Sequence, residues 1–533
     1  MLSLKSNAIV GQVSTRRISS TLRKDNQMIT RRTFATLAAA PLLLRAQSKS
    51  LQARIRIDTE RTIAPIDTKI FGNFAEHLGR CIEGGIFDEG SPLSDAHGYR
   101  KDVLAAVKDL HVPILRWPGG NFSSNYNWMD GLGPRDQRPA RLEMAWGTIE
   151  SNRFGTHEFL EYSELLGTEP YLAANFGTGT WLEAQQWVEY CNYPSGTAMT
   201  QLRKKNGREK PWNVKYWGLG NEMDGPWQMG HRSAEDYGKF ALEGAKLMKW
   251  TDPNIHLVAA GSSNFNADWS AWNRTVLSYL KNHVDYLSLH TYVGNRDNDF
   301  HEFLASSMEL HDRIRTTEGV IKAEAGDRKI YIAFDEWNVW YRERGDKQKG
   351  RRILEEHYNL EDALVVATFL NTFVNNAQIV KIANMAQLVN VIAPIFTNEK
   401  GLFLQTIYYP LKLFAANTRG VALETLVDGP TYKAKRFERV PYLDVSSALD
   451  GANIVFNVVN RHPDQDIEAE IDADKSLGDS FEVSLVNGPD IKAENNFGST
   501  KVQTVASTTR ASGGKWRYRF PAHSYAMLKG KLG

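Results

Sequence analysis

Short apolar runs alternate with longer amphipathic segments from about residue 70 to residue 387. In the longer segments (99–110, 157–166, 234–250 and 361–376) apolar residues recur every three or four positions, which predicts helices. The short runs are rich in β-branched and aromatic residues and predict eight strands: Ile70–Glu76, Val112–Pro118, Pro170–Phe176, Val214–Glu222, His256–Ser262, Tyr286–Tyr292, Lys329–Trp337 and Ile379–Gln387. This alternation predicts an α/β fold, a (β/α)8 TIM barrel. An open doubly wound sheet is the alternative, but the phosphate loops typical of it, GxGxxG and GxxxxGK(S/T), do not occur.

After about residue 415 the pattern changes to short alternating runs separated by turn residues. We predict a C-terminal antiparallel β-sandwich, jelly-roll-like, with these strands: Tyr442–Val445, Asn453–Val459, Ile467–Ile471, Phe481–Val486, Lys501–Val505 and Trp516–Phe520. The segment Gln52–Ile57 also alternates and is expected to pair into this sandwich. The chain is therefore divided into a leader (1–46), a joining strand (47–68), a catalytic barrel (69–414) and a β-sandwich (415–533).

The N-terminal segment resembles a twin-arginine export signal. Arg31 and Arg32 precede the apolar run Phe34–Leu44, which is followed by a small residue, Ala46, before polar sequence. These 11 apolar-dominated residues are too few to span a bilayer, which takes about 20. We expect a periplasmic or secreted protein, with a cytoplasmic location as the alternative. A mitochondrial-type presequence and a chance resemblance also stay open, as does the choice between Met1 and Met28 as the start.

Composition and charge exclude several classes of protein. The 533 residues are 42% hydrophobic and 24% charged, as in a soluble globular protein. The formal charge is +2, but residues 1–46 hold eight basic residues and one acidic residue, and the remaining 56 basic and 61 acidic residues give −5. A mildly acidic body argues against nucleic acid or an anionic membrane as partner. The two cysteines, Cys81 and Cys191, leave one bridge open and indicate neither a disulfide framework nor a structural metal.

Polar residues stand at the end of nearly every predicted barrel strand. They are Glu76-His77, Arg116 to Asn121, Asn175, Asn221-Glu222, Ser262 to Asn264, His290 to Tyr292, Asp335 to Asn338 and Gln387. Catalytic residues of (β/α)8 barrels lie at the carboxyl ends of the strands, on one face. Because a buried carboxylate is costly unless it has a partner or a task, this convergence predicts an active site at that face.

Glu222 and Glu336 are the candidate catalytic pair. They end the fourth and seventh predicted strands, whose ends face each other across the mouth of a closed barrel. Glycoside hydrolysis requires such a pair, one carboxyl group to protonate the leaving oxygen and the other to attack or to activate water. A separation of about 5–5.5 Å would indicate a retaining mechanism, and about 6.5–9.5 Å an inverting one.

Four motifs together resemble the α-L-arabinofuranosidases of glycoside hydrolase family 51, over the chain from about Arg54 to the C-terminus. They are Gly72-Asn73-Phe74-Ala75-Glu76-His77-Leu78-Gly79-Arg80, Arg116-Trp117-Pro118-Gly119-Gly120-Asn121-Phe122, Gly220-Asn221-Glu222-Met223-Asp224-Gly225 and Phe334-Asp335-Glu336-Trp337-Asn338-Val339-Trp340-Tyr341. The resemblance implies a barrel with a sandwich built from both chain ends, a retaining mechanism, no cofactor or metal, and a homo-oligomer, often a hexamer. The exported leader departs from the many family members that act inside cells.

The resemblance also implies a role for each matching residue. Glu222 is the acid/base and Glu336 the nucleophile. Residues that bind the furanose or orient the carboxylates are Glu76, Arg116, Asn121, Trp146, Asn221, His290, Tyr292, Trp340 and Gln387. Arg116 can keep Glu336 ionised. Tyr292 can donate to the nucleophile, and Asn221 can bind the 2-hydroxyl. A core histidine remains the alternative for His290, and a packed loop residue for Trp146.

We therefore expect an exo-acting enzyme that acts on arabinofuranose-containing oligo- or polysaccharides such as arabinan or arabinoxylan. An endo-β-glucanase or xylanase on a related barrel is the first alternative, and the loops Arg135–Gly155 and Cys191–Pro211 are expected to decide between a pocket and a cleft. A non-catalytic sugar-binding protein is less favoured, since both glutamates are present. A metallohydrolase is disfavoured because no HxH pair ends a strand, and a serine hydrolase because no GxSxG follows one.

Overall fold

The computed structural model describes residues 50–266, 268–343, 352–511 and 516–533. The predicted leader, residues 1–46, lies outside these ranges. The strands are β1 (Leu51–Pro65), β2 (Gly72–Phe74), β3 (Ile114–Trp117), β4 (Arg141–Glu143), β5 (Thr148–Glu150), β6 (Glu169–Ala174), β7 (Tyr216–Leu219), β8 (His256–Ala259), β9 (Tyr286–Val293), β10 (Tyr331–Val339), β11 (Val380–Ala386), β12 (Ile395–Asn398), β13 (Gly401–Leu404), β14 (Val421–Asp428), β15 (Thr431–Tyr432), β16 (Val440–Pro441), β17 (Leu443–Asp450), β18 (Asn453–Asn460), β19 (Ile467–Ala473), β20 (Ser480–Asn487), β21 (Gln503–Arg510), β22 (Trp516–Phe520) and β23 (Ser524–Lys531).

The helices lie mostly between the barrel strands. They are α1 (Lys101–Leu110), α2 (Thr156–Leu166), α3 (Trp181–Asn192), α4 (Ala198–Lys205), α5 (Ala234–Thr251), α6 (Trp269–Leu280), α7 (Phe300–Leu304), α8 (Ser306–Ala325), α9 (Leu360–Val374) and α10 (Tyr408–Asn417). Short 3-10 turns cover Thr68–Phe71, Asn121–Asn125, Trp128–Gly131 and Arg135–Gln137. Across the described ranges, each helix is either too short or too polar to cross a bilayer.

Eight parallel strands close into a barrel, in the order β10-β11-β2-β3-β6-β7-β8-β9. Each overlaps one of the eight predicted runs, so the predicted (β/α)8 barrel is confirmed. The fourth barrel strand, β7, ends at Leu219 rather than at Glu222. Gly220 and Glu222 adopt positive φ angles of 92° and 45°, which take the chain out of the extended conformation.

Helix α9 connects the barrel to the C-terminal part of the chain. It begins with a capping box, in which Asn359 and Asp362 each accept a hydrogen bond from the other's backbone N–H, at 3.2 and 2.8 Å. The sequence predicted an amphipathic helix here, but every residue of α9 is buried. The helix packs against β10 on one side and against β17, β18 and β23 on the other, so it has no solvent-facing side.

The C-terminal strands and β1 form one nine-stranded sheet, in the order β21-β20-β23-β18-β17-β14-β1-β19-β22. The sheet curls on itself. Phe481 of β20 and Trp516 of β22 belong to strands near opposite ends of this order, yet their ring centroids are only 4.4 Å apart. This confirms the sheet domain joined by an N-terminal strand. One pairing differs from the antiparallel expectation, since β1 runs parallel to β19. Both cysteines are free and buried, so the bridge that the sequence left open is not formed.

We expect Phe481→Ala to destabilise the curled sheet. Phe481 is 1% exposed, and truncating a buried Phe costs about 3–5 kcal/mol. Denaturant unfolding followed by circular dichroism should show the loss as a lower midpoint of the transition. Val505→Ala on β21 is the matched control, because Val505 is 56% exposed. Equal midpoints for the two variants would contradict the packing described for Phe481.

Candidate active site

A pocket of about 560 Å³ opens at the carboxyl ends of the barrel strands. Nine of the eleven residues proposed from the sequence line it: Glu76, Asn121, Trp146, Glu222, His290, Tyr292, Glu336, Trp340 and Gln387. The other two, Arg116 and Asn221, are each 1% exposed and make their hydrogen bonds to residues of this site. Trp146, on the turn between β4 and β5, belongs to the first of the two loops expected to shape the site. None of the residues lining the pocket comes from the second, Cys191–Pro211.

Glu222 and Glu336 present carboxylate oxygens within 4.8 Å of each other. Glu336 lies on β10, and Glu222 lies in the turn after β7 with its φ of 45°. A non-glycine residue with positive φ stores strain of the kind that persists at functional sites, where the surrounding structure holds it. The two side chains therefore form a close, facing pair at the floor of the pocket.

Glu336 is held by two donors. Arg116 Nη1 donates to its Oε2 at 3.0 Å, and the Tyr292 hydroxyl donates to its Oε1 at 2.7 Å. Arg116 Nη2 also donates to Asn221 Oδ1 at 2.6 Å, which fixes the guanidinium beneath the pair. Burial, with the like charge of Glu222, raises the pKa of Glu336 above its ordinary value. The charge of His290 is the strongest influence that opposes this rise, and Arg116 and Tyr292 also favour the ionised carboxylate.

Glu222 has different partners. His290 Nδ1 lies 3.0 Å from its Oε1, and Trp227 Nε1 donates to its Oε2 at 2.5 Å. Burial alone would raise the pKa of Glu222, but the hydrogen bond and charge of His290 outweigh it and hold that pKa below its ordinary value. The proton between these two groups therefore rests on His290, one hydrogen bond from the carboxylate.

A buried carboxylate, Asp335, lies on the other side of His290. Its Oδ1 is 3.2 Å from His290 Nε2, and it accepts hydrogen bonds from Tyr171 Oη at 2.6 Å and from Ser288 Oγ. Burial opposes protonation of His290, but the three carboxylates around the ring prevail and raise its pKa to about 10. Although burial would raise the pKa of Asp335, the charges of Arg116 and His290 hold it well below its ordinary range.

Sequence analysis placed Asp335 among the polar residues at the strand ends but gave it no role in the site, although it directly precedes Glu336. In a regular strand, neighbouring side chains point to opposite faces. Strand β10 has register shifts at this point, between Ala333 and Glu336 against β9 and between Phe334 and Trp337 against β11. An irregularity of this kind re-aims side chains, and here it lets both carboxylates reach His290.

Glu76 forms another part of the pocket wall. It accepts from the backbone N–H of Phe122 at 3.0 Å, from Trp146 Nε1 at 3.1 Å and from Gln387 Nε2 at 2.8 Å. Burial, with the charge of Glu336 nearby, raises the pKa of Glu76 to about 8. A Cβ atom at Gly120 would lie 2.5 Å from Glu76 Oε2, so glycine is required there.

The wall that continues from Glu222 was also missed by sequence analysis. It contains Trp227, Phe265 and Arg313, which come from loops after β7 and β8 and from helix α8. The Arg313 guanidinium lies 3.8 Å from the centroid of the Phe265 ring, and its Nη1 donates to Thr291 Oγ1 at 2.7 Å. These residues do not end a predicted strand, so the strand-end rule could not find them.

The donors of Glu222, His290 and Glu336 converge closely enough to hold a metal ion. Each of them already has a hydrogen-bond partner, and the Arg116 guanidinium lies 3.0 Å from Glu336. Because a fixed positive charge at that distance repels a cation, this arrangement disfavours a metal centre.

A (β/α)8 barrel with two facing glutamates at the floor of a pocket has the machinery of a glycoside hydrolase. Residues 106–313 match the model of the alpha-L-arabinofuranosidase 1 domain, and residues 335–524 match that of the alpha-L-arabinofuranosidase C-terminal domain. The chain belongs to the α-L-arabinofuranosidases of glycoside hydrolase family 51, as its motifs indicated.

Individual relatives agree with this assignment. The chain is 43% identical to intracellular exo-alpha-(1->5)-L-arabinofuranosidase 1 of Bacillus subtilis, over 85% of this chain and 93% of that protein. It is 42% identical to alpha-L-arabinofuranosidase C of Emericella nidulans, over 90% and 97% of the two chains. The crystal structure of the Thermotoga maritima alpha-L-arabinofuranosidase arabinose complex superposes with a TM-score of 0.84 at 38% identity, covering 90% of this chain and all of the other. The family 51 enzyme AbfB of Bifidobacterium longum gives 0.86 at 34%, with the same coverage.

We expect Asp335→Asn to shift the basic limb of the pH profile of kcat/KM to lower pH. The substitution removes a negative charge that keeps the proton on His290, and loss of a close opposite charge lowers a pKa by about 1–3 units. The groups that face the imidazole are Glu222, Asp335 and Glu336, with Arg116 behind them. The shift should be larger for aryl arabinofuranosides with poor leaving groups, which depend more on the general acid.

Ser288→Ala is the matched control for this measurement. It removes a neutral donor to Asp335 and leaves the charge in place, so its pH profile should keep the basic limb of the wild type. A profile of Asp335→Asn that falls uniformly, without a shift of either limb, would contradict the role given to Asp335.

Proposed function

We propose that the protein is an exo-acting, retaining α-L-arabinofuranosidase that releases terminal α-L-arabinofuranosyl residues from arabinan, arabinoxylan or oligosaccharides derived from them. The observation that carries the mechanism is the approach of the Glu222 and Glu336 oxygens to within 4.8 Å. Inverting enzymes hold their carboxyl groups about 6.5–9.5 Å apart to admit a water molecule. The short distance between the nearest oxygens of Glu222 and Glu336 leaves little room for such a water molecule and supports direct attack by one of the carboxylates.

In the first step, Glu336 attacks the anomeric carbon and forms a glycosyl ester. The bond from that carbon to the leaving oxygen breaks, and Glu222 donates a proton to this oxygen. In the second step Glu222 takes a proton from water, the hydroxide attacks the anomeric carbon, and Glu336 departs as a carboxylate. Two displacements at one carbon give net retention.

The surroundings suit these roles. Arg116 and Tyr292 donate to Glu336, which stabilises the ionised nucleophile and later the departing carboxylate. Glu222 needs a proton before it can act as an acid, and His290 Nδ1, which carries one, lies 3.0 Å from Glu222 Oε1. A bound sugar that displaces water around Glu222 favours transfer of this proton to the carboxylate, because desolvation penalises its charged form.

We assign Glu76, Asn121, Gln387, Trp146 and Trp340 to the furanose itself, because all five line the pocket. Asn221 is assigned to the 2-hydroxyl. Its Nδ2 points to Asn121 Oδ1 at 3.4 Å and to Gln228 Oε1 at 3.2 Å, and its oxygen to Arg116. These contacts hold its amide in a fixed orientation for the hydroxyl that binds more strongly in the transition state.

The endo-acting alternative has less support. The bifunctional glucanase-xylanase CelM2 resembles this chain with a TM-score of 0.57 at 14% identity, which reflects the fold alone. The hydrogen bond between Trp146 and Glu76 closes one side of the pocket, where an endo-acting enzyme needs an open cleft. A pocket of this kind admits a chain end.

We also propose that the protein assembles into a homo-oligomer, including a hexamer. Light scattering of the purified protein is the test of this assembly.

We further propose that the twin-arginine leader directs export of the protein. The Bacillus subtilis relative is named an intracellular enzyme. Changing both Arg31 and Arg32 to Lys should leave the chain in the cytoplasm of a bacterium with twin-arginine export, whereas the unchanged chain should reach the periplasm or medium. Activity found only in the cytoplasm with the leader intact would favour the alternative location.

The central test is hydrolysis of an aryl α-L-arabinofuranoside. We expect turnover by the wild type and its loss in Glu336→Ala, with azide restoring activity and giving the inverted arabinosyl azide. Glu222→Ala is the matched variant. It should lose about 10²–10⁴-fold with poor leaving groups, and azide should give the retained anomer instead. A wild type that cleaves β-linked glucan or xylan and not arabinofuranosides would establish the endo-acting alternative.

A further inference from the structure

A second cavity, of about 410 Å³, adjoins the catalytic pocket. Trp340 lines both spaces and separates them. The walls of the second cavity come from the loop after β9, from α7 and the start of α8, and from residues 435–437 between β15 and β16. Its volume lies within the range of about 300–1,000 Å³ typical of small-molecule sites.

The lining combines aromatic rings with paired charges. Four residues, Phe303, Trp340, Tyr341 and Phe437, supply the rings. Lys435 Nζ lies 3.1 Å from Asp297 Oδ2, and Arg436 Nη1 lies 2.8 Å from Glu309 Oε1. A sugar presents apolar C–H faces, which pack on aromatic rings, and hydroxyl groups, which both donate and accept. Charged groups held in pairs offer donors and acceptors for such hydroxyls without imposing a net charge.

The cavity is connected to the catalytic acid along the rim of the barrel. Glu309 Oε1, which pairs with Arg436, also pairs with Arg313 Nη2 at 2.6 Å. Arg313 lines the catalytic pocket on the wall that runs from Glu222 past Trp227 and Phe265. The leaving oxygen of the cleaved bond must lie next to Glu222, which protonates it. The sugar that carries this oxygen therefore extends along this wall. The order β7-β8-β9-β10 in the barrel places the second cavity further along the same rim.

We propose that the second cavity binds the saccharide chain that carries the terminal arabinofuranose, one or more sugar units beyond the cleaved bond. This inference rests on the proposed function and adds a preference for oligomeric or polymeric substrates over small glycosides. In this proposal residues 435–437, which follow the barrel in the chain and lie between β15 and β16, contact the substrate directly.

The test compares kcat/KM for an aryl α-L-arabinofuranoside with that for two series of substrates of increasing length, arabino-oligosaccharides and arabinoxylo-oligosaccharides. In the wild type, kcat/KM should rise by about 5- to 10-fold in at least one series once the chain is long enough to enter the cavity, as expected from one or two added hydrogen bonds. The series that shows the rise identifies the chain that is bound.

The double variant Lys435→Ala, Arg436→Ala should lose this rise, mainly through KM. Both side chains are 60% exposed, so their loss should leave the fold intact. Lys433→Ala is the matched control, because Lys433 pairs with Glu438 in the same segment and does not line the cavity. It should keep the wild-type dependence on chain length.

Binding of the longer oligosaccharides to the Glu336→Gln variant, measured by calorimetry with and without the double substitution, gives a second readout that does not depend on turnover. A wild type with the same kcat/KM at every chain length, or a double variant that keeps the rise, would overturn the proposal. Failure to hydrolyse any arabinofuranoside, the aryl substrate included, would refute the proposed function itself and is a distinguishable result.

Discussion

The repulsion between two carboxylates held within 4.8 Å governs the architecture of the site. When two negative charges lie so near each other in a buried site, the site is stable only if fixed positive charges and hydrogen-bond donors offset their repulsion. Arg116 lies beneath Glu336, and His290 lies beside Glu222 within 3.6 Å of Glu336 as well. Two cations against three carboxylates, counting Asp335, leave the cluster one charge short of neutrality. This net negative charge keeps the proton on His290, from which Glu222 receives it in the proposed acid step.

The barrel supplies these charges and hydrogen-bond donors from four of its strands. Arg116 comes from β3, Tyr171 from β6, Ser288 and His290 from β9, and the two acids Asp335 and Glu336 from β10. Parallel strands bring their carboxyl ends to one face, so each contributes one or two side chains without a long loop. The irregularity in β10 is the one departure from regular strand geometry that the cluster needs, because it turns both of its acids toward His290.

Much of this could be predicted from the sequence. Periodicity located all eight barrel strands, and the rule that polar residues end barrel strands placed Glu76, Glu222, His290 and Glu336 in one site. Asp335 was named at a strand end but given no role, and strict alternation assigns it to the face opposite Glu336. Trp227 and Arg313 escaped because loop and helix positions have no strand end to mark them. Strands β14 and β23 were also missed, and the buried run Tyr525–Leu528 within β23 shows why, since a continuous apolar run carries no period of two.

The position of α9 explains why the C-terminal sheet and the catalytic pocket are coupled. Glu361 and Asp362 at its start are fully buried, and their partners come from opposite sides. Lys492, beyond β20, lies 2.5 Å from Glu361 Oε1, whereas Arg342, just after the strand that carries Glu336, lies 3.0 Å from Asp362 Oδ2. Burial raises the pKa of Asp362 to about 7 despite Arg342. Separating a buried acid from its single cationic partner costs much free energy. The pair of Arg342 and Asp362 therefore fixes the chain that follows Glu336, including Trp340, to α9, the helix against which the sheet packs. The sheet domain thus stabilises the wall shared by the two cavities.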